Sequence, residues 1–363
     1  MTIKNTDTNS GVQASNGFAF QRNSAICILL DKYDLLVGNN FFICIEHFDD
    51  VIFTFLDNNN EVNNIDSYQA KKSTSPWSTD KVLGEIVGKM TNVGANLLAD
   101  KWPKNVNYKH DLIFLTNNII KLNCANIKKK GVESYSEIVK EDNFFVSFSD
   151  LHENIRNNLI EKMGDFKENI TQLENIKFMH IDVGATDKSQ KEQILGKISK
   201  IFKGKFIDSN AALELILSLF RNVETIYNQG HITTLLDESK RIYSSKIFEA
   251  LNVIENKTKT YEKWRLMANE IAKQLKIPLA VTRDYKRYID NSFDYFKDLK
   301  MVEFQKIYHF VNSSNVDSFC YSEEESILTL NKEINGKLQL NLSKEVILFA
   351  IVAAYVETRG ESL

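Results

Sequence analysis

Residues 41–71 carry the pattern that restricts the fold most. Phe41-Phe42-Ile43-Cys44-Ile45 and Val51-Ile52-Phe53-Thr54-Phe55-Leu56 are short apolar runs rich in β-formers. Turn chemistry follows at Asp57-Asn58-Asn59-Asn60-Glu61, and residues 65–71 alternate as a third strand. Before these runs the period is helical. Phe18, Ala25, Ile26, Leu29 and Leu30 recur at helix spacing through residues 15–33. After them, Thr79 or Asp80 caps a second helix over residues 81–99, and residues 111–116 form a fourth strand. The order helix, three strands, helix, strand predicts an α/β unit in which helices flank a mixed sheet.

Further along, residues 144–148 and 177–183 read as short strands, with helices at 149–163 and 188–202. Past Lys205 the helical period dominates, at 210–227, 236–255, 258–275 and 284–299. One β-hairpin is expected inside this half, where Ile327-Leu328-Thr329-Leu330 and Leu338-Gln339-Leu340 flank Asn335-Gly336. The apolar run 346–356, capped by Ser343, suits a buried helix and is too short to span a bilayer. The expected division is therefore an α/β domain over 1–205 and a mainly helical regulatory or partner-binding domain over 206–363.

Composition excludes several functions. Among 363 residues, 45 basic side chains face 48 acidic ones, a formal charge of -3, so bulk charge cannot carry the chain onto nucleic acid or a membrane. Any polyanion must be met by a local patch. Cys27, Cys44, Cys124 and Cys320 are scattered without a CxxC spacing, and no HExxH occurs, which favours reduced thiols over a disulfide frame or zinc site. No basic-then-apolar leader opens the sequence, so a cytoplasmic protein is expected. The GxxxxGK[ST] loop of P-loop ATPases is missing.

The hairpin of residues 50–71 holds the chemistry. With its turn centred between Asn59 and Asn60, Asp50 falls opposite Gln69, their Cβ atoms about 5 Å apart. Lys71 shares the Gln69 face, while Ala70 points away and offers its carbonyl at the same height. Glu46 ends the preceding strand and approaches the same spot. A one-residue slip in register would undo this arrangement. Oxygen donors from Asp50, Glu46, Gln69 and the Ala70 backbone suit a hard cation, Mg²⁺ or Mn²⁺. A lysine beside such an ion can orient a water molecule, and phosphodiester hydrolysis is the job described.

An acid opening strand two and a QxK closing strand three, in this element order, resembles the core of the restriction-endonuclease-like PD-(D/E)xK nucleases, with Gln at the variable acid position. Ser15-Asn16-Gly17-Phe18-Ala19-Phe20-Gln21, Ile45-Glu46-His47-Phe48-Asp49-Asp50-Val51 and Tyr68-Gln69-Ala70-Lys71 together resemble the double-stranded DNA endonuclease domain of bacterial anti-phage and anti-plasmid effectors. That domain opens both the CBASS effector with a cyclic-oligonucleotide sensor and the nuclease subunit of Lamassu systems. The resemblance covers about the first 200 residues. It implies that Asp50, Gln69 and Lys71 form the catalytic core, that Glu46 and Gln21 occupy acid-site and first-helix positions, and that Asp49 competes with Asp50 as metal ligand. It also implies double-stranded DNA as substrate. The helical second half departs from the mixed α/β sensor and leans toward a Lamassu-type effector. Such an effector is held inactive by an SMC-like ATPase, with an accessory subunit in the complex, and is activated as a homo-oligomer. A catalytically silent interaction subunit and a nuclease gated by a cyclic oligonucleotide are the alternatives.

For DNA contact the candidates are Lys72, Ser73 and Lys81 after the third strand, and Lys128 and Lys129 in a basic run. Trp77 serves either as a packing anchor or as a DNA contact. His47 is a turn histidine or a proton shuttle. The aromatic-rich stretch 285–296 more often fills a core than stacks on bases.

Overall fold

The computed structural model describes residues 10–124, 134–203, 208–226 and 233–359, with side chains from Ser15 onward. Two compact units result. The first takes the chain through Ile201 together with Leu213–Ile247, and the second takes Phe202–Ala212 and the chain from Phe248 onward.

In the first unit the elements run α1 (Ser10–Asp31), α2 (Tyr33–Leu36), β1 (Phe41–Ile45), β2 (Val51–Leu56), β3 (Val62–Lys71), β4 (Trp77–Ser78), α3 (Lys81–Ala99), β5 (Lys104–Thr116), β6 (Ile120–Asn123), β7 (Ser136–Val139), β8 (Phe145–Ser147), α4 (Glu153–Lys162), β9 (Ile176–His180), α5 (Asp187–Ile201), the bulk of α6 (Ser209–Glu224) and β10 (Arg241–Tyr243). Seven strands make a mixed sheet in the order β10-β1-β2-β3-β5-β9-β8, and β4, β6 and β7 make a small second sheet. Strands β1 to β3 form an antiparallel meander, whereas β5 joins β3 in parallel after a crossover through α3. Asp80 caps that crossover helix, its carboxylate accepting the Leu83 N–H at 3.0 Å. Leu83, Val87, Met90 and Leu97 then recur on one face and pack with Phe42, Cys44, Ile52, Leu112, Phe114 and Phe178 of the sheet. Gly84 lets α3 approach α4 closely, because an added Cβ would lie 2.4 Å from the Lys162 carbonyl carbon.

Helix α1 packs against β2, β3 and α5. The fully buried Asn23 side chain donates to Asp187 at 2.9 Å and to Gln190 at 2.7 Å, tying α1 to α5. Arg22 Nη1 reaches Glu224 on α6 at 2.9 Å. Lys32 Nζ, just past α1, meets Asp66 on β3 at 2.8 Å. The helix carrying Gln21 is thus tied to α5, α6 and β3.

Helices alone build the described part of the second unit. These are the bulk of α7 (Ser244–Gln274), α8 (Leu279–Arg283), α9 (Tyr285–Lys297), α10 (Val302–Ser313), α11 (Glu323–Lys337) and α12 (Lys344–Arg359). From Ile347 to Val356 every residue of α12 is buried, as befits a helix apolar all round and packed at the centre. The aromatics of α9 serve that core: Phe293 and Phe296 are buried, and Tyr288 stacks on Phe349 at 5.1 Å. Among the described residues no helix is long and apolar enough to cross a membrane.

Three expectations give way here. The hairpin around Asn335-Gly336 is instead α11. Ser322 caps its start, accepting the Glu325 N–H at 3.2 Å, and Glu323, Glu324 and Glu325 favour the positive end of the helix dipole. Ile327, Leu330 and Ile334 bury one face, each worth roughly 1.5–3 kcal/mol, which outweighs the ~1 kcal/mol penalty of Gly336 in a helix. The helix expected from residue 236 starts only at Ser244, because Arg241–Tyr243 pairs with β1 as an extra sheet edge. The two helices expected over 236–255 and 258–275 are the single helix α7.

Candidate active site

The β1–β2 connection is a five-residue reversal. After the Ile45↔Val51 rung the chain reverses through residues 46–50, with the Glu46 N–H donating to the Asp50 carbonyl at 3.0 Å and the His47 N–H to the Asp49 carbonyl at 3.2 Å. To make that turn Glu46 adopts φ 50, a left-handed conformation costing a residue with a side chain about 1–3 kcal/mol. On the other side β2 and β3 pair as Val51↔Tyr68, Ile52↔Ser67 and Phe53↔Asp66, so the next rung sets Asp50 beside Gln69. A register shift between Phe55 and Leu56 absorbs the irregular turn.

Asp50 is the hub of this rung. Its Oδ2 accepts Gln69 Nε2 at 2.5 Å, the Ala70 N–H at 2.8 Å and Lys71 Nζ at 3.1 Å, while only 8% of the residue is exposed. Three donors on one oxygen include an ammonium and leave Oδ1 outside the set. Within a strand a residue's N–H and C=O point to the same side. The Ala70 carbonyl therefore looks toward the same open edge as its N–H, where β2 has already ended. Gln69 and Lys71 share a face and lie beside Phe114 and Thr116 of β5.

The acids differ in surroundings. Burial is the main reason the Glu46 carboxyl titrates above its usual range; the nearby Asp50 charge adds to the rise, and Lys71 and Lys240 oppose it. Burial and then the Asp50 charge push Asp49 up to about 7. Both Asp49 oxygens are engaged, Oδ1 by the Asp50 N–H at 3.0 Å and Oδ2 by the Ser67 hydroxyl at 3.1 Å. A raised carboxyl keeps in the folded state a proton that the unfolded chain releases, so stability is full below about pH 4 and declines as pH rises toward about 7. Asp49→Asn should therefore raise the melting temperature in metal-free buffer at pH 8, by up to about 3 kcal/mol in stability, and by much less at pH 5. Thermal melts at the two pH values check this; an equal difference at both counts against it.

Gln21 lies on α1 with its Oε1 buried and, among the described residues, without a hydrogen-bond partner. Lys72 and Ser73 continue from β3; the Ser73 N–H donates to Asn117 Oδ1 at 3.0 Å and its hydroxyl to the Ser75 carbonyl at 2.6 Å. Lys81 is well exposed at the start of α3 and pairs with Glu85 at 3.6 Å. Lys128 and Lys129 lie outside the described residues. Trp77 is a packing anchor, its Nε1 donating to Thr116 Oγ1 at 3.0 Å and its ring edge-on to Phe114. His47 is buried, and its Nε2 donates to the Thr234 carbonyl at 2.6 Å. Sequence reasoning missed Ser67 and the Thr234 segment, because nothing local to either marks it as a neighbour of residues 46–50.

Whether the hub suits a divalent ion is a question of donors. Among the described residues no group of three or more His, Cys, Asp and Glu side chains converges as a ready cation cage. The hub instead combines Asp50 with an amide and a backbone carbonyl, hard oxygen donors that suit Mg²⁺ or Mn²⁺. The residues present fit such an ion.

An acid, an amide and a lysine gathered where the central strands of a mixed sheet end make an arrangement able to work on a phosphodiester. Over residues 9–225 the sequence matches the family model described as Cap4, dsDNA endonuclease domain, and the chain belongs to this family of double-stranded DNA endonuclease domains. The matched stretch contains α1 to α6 and every residue of the hub, and ends before β10. Comparison with curated proteins and with solved structures gives no match.

Proposed function

We propose that the chain is a divalent-metal-dependent endonuclease that hydrolyses double-stranded DNA as the effector of an anti-phage or anti-plasmid defence system. The observation that carries this reading is Asp50 Oδ2, which draws Gln69, Ala70 and Lys71 to one point at the end of β3. Asp50, Gln69 through its amide oxygen, the Ala70 carbonyl and Glu46 would hold Mg²⁺ or Mn²⁺. When bound, the ion supplies Lewis acidity at the phosphate and lowers the pKa of a coordinated water.

The remaining work falls to the chain. Lys71, anchored by its ion pair to Asp50, presents Nζ to the attacking water and offsets charge that builds on the phosphate. Asp49 stays behind Asp50, fixing the turn through Ser67 and the Asp50 N–H rather than facing substrate. Lys72, Ser73, Lys81, Lys128 and Lys129 contact phosphates along the duplex. The helical second unit supports a protein-docking role over nucleotide sensing, consistent with a Lamassu-type effector restrained by an SMC-like ATPase and an accessory subunit and active as a homo-oligomer. Calorimetry against cyclic oligonucleotides separates these two, with heat of binding favouring the sensor.

Supercoiled plasmid is the test substrate. The full chain should convert it to nicked and linear forms with Mg²⁺ or Mn²⁺, and EDTA should stop conversion. A second reading, a silent subunit that keeps the nuclease fold, draws on Gln69 standing where an acid would complete a carboxylate set. No cleavage under any metal, by the chain alone or released from a partner, would favour it.

A further inference from the structure

Arginine is scarce in this chain, 8 residues against 37 lysines, yet three of the eight, Arg265, Arg283 and Arg287, fall within residues 257–287. That stretch runs from α7 through α8 into the start of α9. It carries nine basic and three acidic residues, in a chain whose net charge is -3. Because bulk charge cannot draw this chain to a polyanion, a local excess of this kind is what such a ligand needs.

Aromatic contacts draw the cations together. Arg265 Nε on α7 donates to the Tyr285 hydroxyl on α9 at 2.8 Å, and its guanidinium lies 5.9 Å from the centre of that ring. Tyr261, one turn earlier on α7, packs edge-on to Tyr285 at 5.9 Å and has Lys286 Nζ over its face at 5.4 Å. The start of α9 is thus fastened to α7, with Arg283, Lys286 and Arg287 all within two residues of Tyr285.

The neighbouring acids leave charge to spare. Lys257, Lys259 and Lys263 are each paired with a carboxylate, Asp294, Glu255 and Glu323. Glu262 pairs with Arg265, and Asp284 with Arg287 at 2.7 Å. Both are exposed i,i+3 pairs, worth at most about 1 kcal/mol, and a phosphate can compete for either arginine. The third acid of the stretch, Glu270, accepts Gln274 Nε2 at 2.7 Å instead. Lys273, Lys276, Arg283 and Lys286 are exposed, and among the described residues none of the four makes an ion pair. Arginine offers phosphate a planar fork of donors and lysine a point charge. Duplex DNA is the polyanion on which this family of domains acts.

We propose that Arg265, Lys273, Lys276, Arg283, Lys286 and Arg287 form a second DNA-contacting surface, in the helical unit, that grips the phosphate backbone irrespective of base sequence. The proposal rests on duplex DNA being the substrate and uses no part of the metal site.

Replacing Arg283→Gln and Lys286→Gln together removes two unpaired charges while keeping good helix formers at both positions. The full chain is titrated against end-labelled duplex DNA in metal-free buffer, so that nothing is cut. The Gln pair should lower affinity by about 10-fold, equally for duplexes of unrelated sequence. The slope of log K against log salt should become shallower by about 1.8, the roughly 0.9 per phosphate contact of B-DNA. The melting temperature should be unchanged, and Arg283→Lys with Lys286→Arg, which keeps both charges, should bind as wild type does. Unchanged affinity and slope in the Gln pair overturn the proposal and leave the patch to an acidic protein surface. A loss of affinity with the wild-type slope, or with a lowered melting temperature, overturns it as well, as does a wild type that binds no duplex. Plasmid cleavage by the wild type is scored in parallel. Binding that shows the expected change of slope, without any cutting in Mg²⁺ or Mn²⁺, overturns the nuclease reading while supporting this surface.

Discussion

Lys71→Ala is expected to lower the rate of plasmid cleavage by about 10²- to 10⁴-fold, the range for removing a group that handles the proton or the developing charge of the transition state. The ammonium lies 3.1 Å from Asp50 Oδ2, and the Lys71 side chain is about one-third exposed, 34%, against 11% for Asp50. Half-exposed pairs of this kind contribute little to folding, so stability should fall by only about 0.5–1 kcal/mol. Ala70 N–H and Gln69 remain to hold Asp50 in place. Single-turnover cleavage and a thermal melt on the same preparation separate the two effects. Cleavage within a few-fold of wild type would remove Lys71 from the mechanism.

Asp50→Asn should be as damaging, with a different signature. The substitution keeps an acceptor for the Ala70 N–H but loses the charge that a divalent ion and Lys71 both need. Calorimetric titration of the DNA-free protein with Mn²⁺ should show affinity weakened by at least about 100-fold. Stability should carry a second mark. Because the Asp50 charge helps raise Asp49, its removal lets Asp49 titrate nearer the usual carboxylate range. The loss of stability between about pH 4 and pH 7 in metal-free buffer should then shrink relative to wild type. Undiminished Mn²⁺ affinity would show that Asp50 is not a ligand, and an unchanged pH dependence would show that the two carboxyls do not communicate.

Where the sequence was informative, the information was local. Phe41–Ile45 and Val51–Leu56 are apolar β-formers with turn residues on either side, and such runs have few alternatives to pairing with each other. The β2–β3 rungs from Val51↔Tyr68 to Phe55↔Asn64 follow the register that the Asn59-Asn60 turn predicts, and this brings Asp50 to Gln69. β10 was hidden for the opposite reason. Arg241–Tyr243 is extended because it finds the free edge of β1 about 200 residues earlier, and three residues carry no period of their own. At Asn335-Gly336 a strong two-residue turn signal lost to a capped helix with a buried face, a conflict that packing decided.

The candidate site divides along the same line. Asp50, Gln69 and Lys71 are legible because alternation in two adjacent strands fixes their relation. The raised Asp49, its tie to Ser67, and the His47–Thr234 bond depend on burial and on a segment far away in sequence.

The central claim is that Asp50, Gln69 and the Ala70 carbonyl hold the ion at which DNA is cut. Soaking crystals of the full chain with Mn²⁺ and recording anomalous diffraction tests it most directly. A single strong peak is expected, bonded to Asp50, Gln69 and the Ala70 carbonyl, with Glu46 beside it, and lost in Asp50→Asn. A peak elsewhere on the chain, or none at this site under conditions that support cleavage, would contradict it.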